Sequence, residues 1–257
     1  RSTRLAAAFE EVEDGTLGLN SSSSADDTPV TGGSATVSGN SLLSSVLTGT
    51  EAGGQHGVFV WDDAPSVTVS GNTIAGSSSH AIKVEGGSGH VISANRLGFT
   101  SAGAEVAAVD GISLVEVSST AVGGVGSGNT ILTTGDGIES FAQSPSVTVE
   151  GNTITGPSDR TGHGVGLSPQ GGGAVIASNT ISGFSTGVDV SAAGTTVSDN
   201  SLSGNVTGIR ARGGPTVSRN RVDGGEIGEF GIDADGATST IEENSVVSTS
   251  SAAIAVR

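Results

Sequence analysis

The stretch Val67-Thr-Val-Ser-Gly-Asn-Thr-Ile74 returns almost unchanged as Val147-Thr-Val-Glu-Gly-Asn-Thr-Ile154. Apolar residues alternate with small polar ones on both sides of the Gly-Asn corner, which predicts two short strands that meet at a turn. An Asn followed two residues later by an apolar residue occurs nine times, at intervals of 20 to 34 residues. Such a period is typical of a solenoid and not of a globular domain. The nine residues are Asn40, Asn72, Asn95, Asn129, Asn152, Asn179, Asn200, Asn220 and Asn244.

A second phrase occurs once in each period: Gly or Ala, an apolar residue, any residue, and another apolar or small residue. Examples are Gly111-Ile-Ser-Leu114 and Gly187-Val-Asp-Val190. This phrase predicts a third short strand. Three short strands per repeat, with no helical pattern between them, predict an all-β fold, a single-stranded right-handed parallel β-helix of about nine coils.

The two ends of the chain differ from the repeats. Residues 1–30 are interpreted as an N-terminal cap and linker, with a short capping helix over residues 5–12 whose apolar side covers the first coil. The segment from Asn20 to Pro29 is rich in Ser, Asp and Pro and predicts a loop. Residues 31–257 form the predicted β-helix. Since Ala253-Ile-Ala-Val-Arg257 ends within a predicted strand, we expect the β-helix to continue beyond the chain end.

Composition limits the classes of function. The chain has 43 Gly and 34% hydrophobic residues, enough for the thin apolar stack of a β-helix. It has no Cys, so disulfides and thiolate metal sites are excluded, and no apolar run long enough for a membrane span. The net charge of −16, with 10 Lys and Arg, argues against nucleic acid and anionic membranes as partners. We interpret the acidic surface as a means of solubility, although a saline habitat or calcium loading would give the same composition.

The repeated Asn has a structural interpretation. Asn tolerates the left-handed backbone conformation that a sharp turn requires, and its amide can bond to the equivalent Asn of the coils above and below. We therefore exclude these nine residues from any functional site.

The repeats resemble a known superfamily. Asn95-Arg-Leu-Gly-Phe99, Asp110-Gly-Ile112 and Gly126-Ser-Gly-Asn-Thr-Ile131 are similar to the repeats of secreted bacterial right-handed β-helix proteins of the pectate-lyase-like superfamily, over residues 35–257. The resemblance implies the fold. For function it implies polysaccharide lyases, hydrolases and epimerases, but also adhesins, viral tail fibres and surface proteins without catalysis.

Ionisable residues precede the first five Gly-apolar phrases. Equivalent residues of successive coils stack about 5 Å apart, so these residues form a column along the rod. Paired carboxylates with a nearby His are what acid–base cleavage of a glycosidic bond requires, although a solvated column of turn residues explains the pattern as well. The column reads His56, His80, Asp110, Asp136, His163, Thr186, Thr207, Phe230 and Ala252.

Part of this column resembles the polygalacturonase-like glycoside hydrolases, which carry Asn-Thr-Asp, Asp-Asp, Gly-His-Gly and Arg-x-Lys on successive coils. Here these motifs correspond to Asp110, to Asp136 followed by Gly137, to Gly162-His163-Gly164 and to Arg210-Ala-Arg212. The resemblance implies that Asp136 is the general acid, that Asp110 helps to activate water, that His163 is catalytic and that Arg210 holds a substrate carboxylate. One carboxylate of the pair is missing, and an extra coil with Asp189 intervenes before Arg210.

Other candidates lie beside this column. Asp189, Arg210 and Asp233 stack as alternating charges, which is sufficient to explain them as strand-stabilising pairs. The lyases of the superfamily pair a basic residue with calcium-bound carboxylates, and Arg210 could serve in that way. Trp61, His80, Lys83 and Arg212 are candidate substrate-binding residues, with Trp61 as a platform for a sugar ring. Asp233 and Asp235 are the candidate metal ligands, with Ca²⁺ as the ion.

The sequence favours an extracellular or cell-surface β-helix, a structural or recognition module of a larger surface or secreted assembly, with carbohydrate or neighbouring protein subunits as partners. The alternative is a polysaccharide-active enzyme, a hydrolase or lyase on uronate-type polymers, that uses a groove along the rod. The scarcity of aromatic residues and Lys favours the first. We expect Asp110 and Asp136 to point into loops or neighbouring turns, with no cleft above them.

Overall fold

The computed structural model describes residues 3–6, 9–10, 18–19, 29–30, 35–43, 56–61, 66–141, 144–167, 172–235 and 238–257. All regular structure in these ranges is β-strand. None of the described residues forms a helix long and apolar enough to cross a membrane. From residue 35 onward the described strands pair in parallel between successive coils, which confirms the predicted all-β parallel β-helix.

Each coil contributes one strand to each of three sheets, which we number in chain order. The first sheet has nine strands, one per coil. The strands of the first sheet are Ala35–Ser38, Val67–Ser70, Val91–Ser93, Ala121–Gly123, Thr148–Glu150, Val175–Ala177, Thr196–Ser198, Thr216–Ser218 and Thr240–Glu242.

The second and third sheets join at the last two coils, where single long strands belong to both. The long strands are Arg221–Asp235 and Ser245–Val256. The other strands of the second sheet are Ser41–Leu43, Thr73–Ala75, Arg96–Leu97, Thr130–Leu132, Thr153–Thr155, Thr180–Ser182 and Ser201–Ser203. The other strands of the third sheet are Val58–Trp61, His80–Glu85, Asp110–Val115, Ile138–Phe141, His163–Leu167, Thr186–Val190 and Thr207–Arg212.

The predicted capping helix over residues 5–12 is wrong for the residues described there. Thr3–Ala6 and Phe9–Glu10 are strands, as are Gly18–Leu19 and Pro29–Val30. Thr3–Ala6 pairs antiparallel with Val58–Trp61, the first strand of the third sheet. This pairing supplies backbone partners to an edge that would otherwise be open, and a helix cannot do so. Of the predicted loop from Asn20 to Pro29, residues 20–28 lie outside the described residues.

A ladder of Asn side chains runs along the corner between the first and second sheets. Asn152 is 1% exposed, and its Oδ1 accepts hydrogen bonds from both the backbone N–H and the side-chain amide of Asn129, each at 2.9 Å. Its own side-chain amide donates to Asn179 Oδ1 at 3.0 Å and to the carbonyl of Val122 at 3.0 Å. The same pattern joins Asn72 to Asn95 and Asn200 to Asn220. Each Asn within the ladder thereby links its own coil to both neighbours.

The left-handed residue at this corner is not the Asn but, on every coil except that of Asn129, the residue before it. Gly71 has φ of 67° and Gly151 has φ of 68°, whereas no described Asn has a positive φ. Ser178, Asp199 and Arg219 hold the same conformation without being Gly. The predicted conformational role of Asn is therefore wrong. The residue that precedes it turns the chain, and the Asn satisfies the polar groups that the turn buries.

The core consists of stacked aliphatic side chains, one column from each sheet and a second from the third sheet. The four columns are represented by Ile154, Ile176, Val188 and Val190, and all four residues are fully buried. A Gly near the start of most third-sheet strands, replaced by Ala81 and Ala253 on two coils, allows this packing. A Cβ on Gly137 would lie 2.4 Å from the carbonyl oxygen of Gly164 and 2.4 Å from Ile154 Cγ2, so the coils can approach there only because no side chain intervenes.

Replacing Asn152 with Leu should lower the free energy of unfolding by about 1–3 kcal/mol or more. The change leaves buried partners on two neighbouring coils without hydrogen bonds, and each such loss costs an amount in this range. The free energy of unfolding is measured by urea titration, with far-ultraviolet circular dichroism as the signal.

The matched control for this measurement is Asn244→Leu. Asn244 is the last Asn of the described ladder and accepts only from Asn220, so its replacement should cost less. An equal loss at the two positions, or none at Asn152, would contradict the role of the ladder.

Candidate functional site

The outer face of the third sheet carries the charged side chains. Along His80–Glu85, Ala81, Ile82 and Val84 are buried in the core, whereas His80, Lys83 and Glu85 face outward. Parallel register repeats these outward positions on every coil, so residues far apart in sequence become neighbours. His80 pairs with Asp110, and Asp189 pairs with Arg210, which itself pairs with Asp233.

The first cluster of charged groups lies on the strands that begin at His80, Asp110 and Ile138. His80 Nε2 is 3.0 Å from Glu139 Oε1 and 3.7 Å from Asp110 Oδ2. The other ring nitrogen of His80, Nδ1, is 2.8 Å from Ser79 Oγ. The ring and the two carboxylates are therefore held together in a largely buried group of three potential metal ligands.

The second cluster follows on the next coils and centres on His163. Its Nδ1 lies 3.2 Å from Asp136 Oδ1, and its Nε2 lies 3.6 Å from Asp189 Oδ2. Arg212 Nη2 is 2.6 Å from Asp189 Oδ1, and Arg210 Nη1 is 3.6 Å from Asp189 Oδ2. A continuous acid–base chain therefore runs from Asp136 through His163 and Asp189 to the two Arg.

An open cavity of about 240 Å³ lies over the second cluster. Gly166 occupies the outward position between Glu139 and Asp189 on three paired strands, so the column of side chains is interrupted there. Phe141, 50% exposed, forms part of the wall. The cavity is lined by Asp136, Glu139, Ser140, Phe141, His163, Gly166, Leu167, Asp189, Ser191 and Arg212.

The clusters shift the pKa of several groups. Burial alone would raise the pKa of Asp136, but hydrogen bonds from the ring and backbone N–H of His163 bring it below its usual value. The same side-chain hydrogen bond raises the pKa of His163 despite its burial. Burial raises the pKa of Asp110. Burial, with the positive charges of His80 and Lys83 nearby, lowers the pKa of His56 to about 4.

The structure brings several predicted site residues together. Asp136, His163 and Arg212 line the cavity, and Arg210 contacts Asp189 beside it. Asp110 and His80 belong to the adjoining cluster. As expected, both aspartates bind neighbouring turns: Asp110 Oδ1 accepts from the N–H of Asp136 at 2.8 Å, and Asp136 Oδ1 accepts from the N–H of His163 at 2.6 Å. The expected absence of a cleft is wrong for Asp136.

Other predicted residues lie apart from the cavity. Lys83 Nζ is 2.6 Å from Glu85 Oε1 and lies over the ring of Phe59. Asp233 Oδ1 is 3.5 Å from Arg257 Nη2, an ion pair without a hydrogen bond. Asp233 and Asp235 have no third His or carboxylate close enough to complete a metal site among the described residues. The side chain of Trp61 lies outside the described residues.

Sequence reasoning missed Glu139 and Asp189 as site residues. Both occupy the second outward position of their strands. We interpreted Asp189, with Arg210 and Asp233, as strand-stabilising charges and gave Glu139 no role. The available signal was Gly166, the one Gly in this second outward column, which reads Phe59, Lys83, Ser113, Glu139, Gly166, Asp189, Arg210, Asp233 and Ala255. A Gly on the middle strand of three, between two carboxylates, is a signal for a depression that the carboxylates flank.

The chain belongs to a known family. The model described as "Right handed beta helix region" matches residues 21–168 and 159–257. This membership confirms the predicted handedness and the predicted resemblance to right-handed β-helix proteins.

Two solved structures are similar to the chain. One is a mutant of the periplasmic alginate epimerase AlgG, with 12% identity, a TM-score of 0.53, and coverage of 87% of this chain and 50% of that chain. The other is a mutant of DFA-IIIase from Arthrobacter chlorophenolicus A6, with 11% identity, a TM-score of 0.44, and coverage of 87% and 57%. The chain thus spans about half the length of these proteins, and the likeness to AlgG concerns the fold. A search of curated proteins gave no match.

The His163 contact predicts a pH dependence that nuclear magnetic resonance can measure. A ring titration should give a pKa above 6.5 for His163, and Asp136→Asn should lower it, because the carboxylate that stabilises the imidazolium is removed. Asp199→Asn, a change at an exposed ion pair with Arg219 on the opposite corner, should leave it unchanged.

The contact between His163 and Asp136 should make the free energy of unfolding depend on pH, because it shifts the pKa of both groups. The raised pKa of His163 gives stabilisation that is complete below 6.5 and is lost as the pH rises through the folded-state pKa. The lowered pKa of Asp136 gives stabilisation that is complete above 3.8 and is lost as the pH falls. The contact should therefore stabilise most between these values. A His163 pKa at or below 6.5, or one that Asp136→Asn leaves in place, would contradict the contact.

Proposed function

We propose that the chain is the β-helix of a secreted or surface polysaccharide-active enzyme that cleaves uronate-type polymers in the groove along the third sheet. The observation that carries the proposal is the convergence of Asp136, His163, Asp189 and Arg212 on one open cavity. Charged side chains that only stabilise neighbouring strands do not require a cavity beside them. A proton-transfer group, carboxylates and a cation around an open space are what bond cleavage in a sugar polymer requires.

His163 is the proposed proton donor. Its pKa is raised by Asp136, which keeps the imidazolium populated nearer to neutral pH, where a general acid works best. Its ring is 41% exposed on the cavity side, so a glycosidic oxygen can reach it. In this scheme Asp136 is a positioning residue, because both its contacts with His163 fix the ring and its charge.

Arg212 and Arg210 are the proposed anchors for a substrate carboxylate. Their guanidinium groups lie beside Asp189 at the far side of the cavity, with Arg212 45% exposed and Arg210 35% exposed. A guanidinium group recognises a carboxylate through paired hydrogen bonds, which suits a uronate. Phe141 offers an exposed ring on the opposite wall, where the apolar face of a sugar can stack.

The proton from His163 goes to the leaving glycosidic oxygen in hydrolysis and in β-elimination alike. In hydrolysis water adds to the anomeric carbon and gives up a proton. In elimination the sugar loses the proton α to its carboxylate. Asp189 is the proposed acceptor of the α proton in elimination, since its carboxylate faces the cavity beside His163. The 3.6 Å distance between Asp189 Oδ2 and His163 Nε2 is shorter than the roughly 6.5–9.5 Å that activation of a water by an opposing base requires, so the geometry favours elimination over hydrolysis. The similarity of the fold to an alginate epimerase supports a uronate polymer as the substrate class.

The test is product release from alginate, pectate and neutral polysaccharides. Reducing ends measure hydrolysis, and the ultraviolet absorbance of unsaturated ends measures elimination. The full chain should act on at least one uronate polymer, and His163→Gln should lower kcat by about 100- to 10,000-fold, the usual share of general acid catalysis. Arg212→Gln should chiefly raise KM for the uronate polymer.

Asp199→Asn is the matched control because it removes an exposed carboxylate paired with Arg219 away from the third sheet. Its activity should equal that of the unaltered chain. Absence of products from every polymer, or full activity of His163→Gln, would contradict the enzyme. Polymer binding without products would instead assign the chain a recognition role.

A further inference from the structure

We propose that His80, Asp110 and Glu139 form a binding site for a first-row divalent transition metal ion, with Zn²⁺ as the representative ion. The three residues come from three successive coils of the third sheet, and their ligand atoms all lie within 4.8 Å of one another. The site adjoins the cavity through Glu139 but needs none of the proposed proton transfer. Its existence is therefore independent of whether the chain is an enzyme.

The distances suit a single ion. Zn²⁺ binds His nitrogen and carboxylate oxygen at about 2.0–2.2 Å, so ligand atoms around it lie roughly 3–3.5 Å apart. The His80 Nε2 to Glu139 Oε1 distance is 3.0 Å, and the His80 Nε2 to Asp110 Oδ2 distance is 3.7 Å. Small changes of side-chain torsion would place all three atoms around one centre.

The surroundings orient the ligands. Ser79 Oγ, 2.8 Å from His80 Nδ1, leaves Nε2 directed at the carboxylates, which is how a metal-bound His is usually held. The N–H of Asp136 occupies Asp110 Oδ1 and leaves Oδ2 toward His80. The side chain of Glu139 reaches His80 across the intervening strand, on which Ser113 is the residue paired with Glu139. Ser113 is short and 1% exposed. A longer side chain at position 113 would block the contact between Glu139 and His80.

The charge balance also favours a cation. The side chains of Glu139 and Asp110 are only 10% and 22% exposed, yet neither forms an ion pair with a Lys or Arg among the described residues. Two partly buried carboxylates that share one imidazole repel each other unless a positive charge lies between them. A divalent ion supplies that charge.

The ligand set separates this site from the predicted calcium site. Ca²⁺ prefers six to eight oxygen ligands, whereas one imidazole with two carboxylates is typical of Zn²⁺, Mn²⁺ or Fe²⁺. Asp233 and Asp235 offer only oxygen, and Asp233 already faces Arg257. The two predictions therefore concern different ions at different coils.

The experiment is a titration of the chelator-treated full chain with Zn²⁺ by isothermal calorimetry. Co²⁺ serves as a second probe, because its visible absorption reports ligation by nitrogen and oxygen. We expect one ion per chain and an increase of the unfolding temperature on Zn²⁺ addition. His80→Ala and the isosteric Glu139→Gln should each weaken Zn²⁺ binding by about tenfold or more.

Asp233→Asn is the control and should bind Zn²⁺ as the unaltered chain does. Circular dichroism confirms that each variant keeps its strands, and if His80→Ala does not fold, Glu139→Gln decides. Failure of the unaltered chain to bind Zn²⁺ or Co²⁺, or binding that both ligand variants retain, would overturn the site. Because the measurement is binding, its result is separate from that of the polymer assays.

Discussion

The stacking of one coil on the next through shared hydrogen bonds is the constraint on which the rest of the molecule depends. A thin column of Val, Ile and Leu holds each coil together, but it does not fix the register between coils. The Asn ladder does fix it, because Asn152 bonds the backbone and side chain of one neighbour and the side chain of the other. Any slip would leave those buried amides without partners, at a cost that a chain of marginal stability cannot sustain.

Register in turn makes the site possible. Asp136 and His163 are 27 residues apart in sequence, yet the backbone N–H of one coil bonds the carboxylate of the coil before it. This contact resembles the Asn ladder with a carboxylate in place of the amide, on a different corner, but in the ladder the backbone N–H bonds the side chain of the following coil. The charged column therefore has a structural role and a chemical one at the same time. Asp136 satisfies the turn with Oδ1 and, through the same atom, raises the pKa of His163.

Features that recur on every coil could be predicted from the sequence, whereas features that occur on one coil could not. Alternation and the Asn period recur on every coil, so the fold and the two outward columns could be derived from them. The capping segment occurs once, and its helical composition was outweighed by the demand of an open strand edge for backbone partners. The left-handed conformation was assigned to Asn because Asn tolerates it better than most residues, whereas here residues as unsuited as Arg219 adopt that conformation.

For the site, the columns could be predicted but not the convergence within them. The contact between Glu139 and His80 requires the Glu139 side chain to extend past Ser113 on the intervening strand. The period of the repeat does not predict how far a side chain extends. Gly166, which puts no side chain between Glu139 and Asp189, lines the cavity. Single substitutions within a fixed register thus carry the functional information, while the repeat carries the fold.

The order of charges along the rod gives the groove a direction. His80, Asp110 and Glu139 concentrate negative charge on the earlier coils, His163 lies in the middle, and Arg210 and Arg212 follow. The proposed substrate, a polymer of uronate units, has a carboxylate on every sugar, so it would meet repulsion at one end of the cavity and attraction at the other. A cation at the acidic end would change that repulsion into a second anchor, and the polymer would then be held on both sides of His163. The proposed metal site and the proposed proton donor are chemically separate, but the spacing of the coils places their residues on one face of the rod.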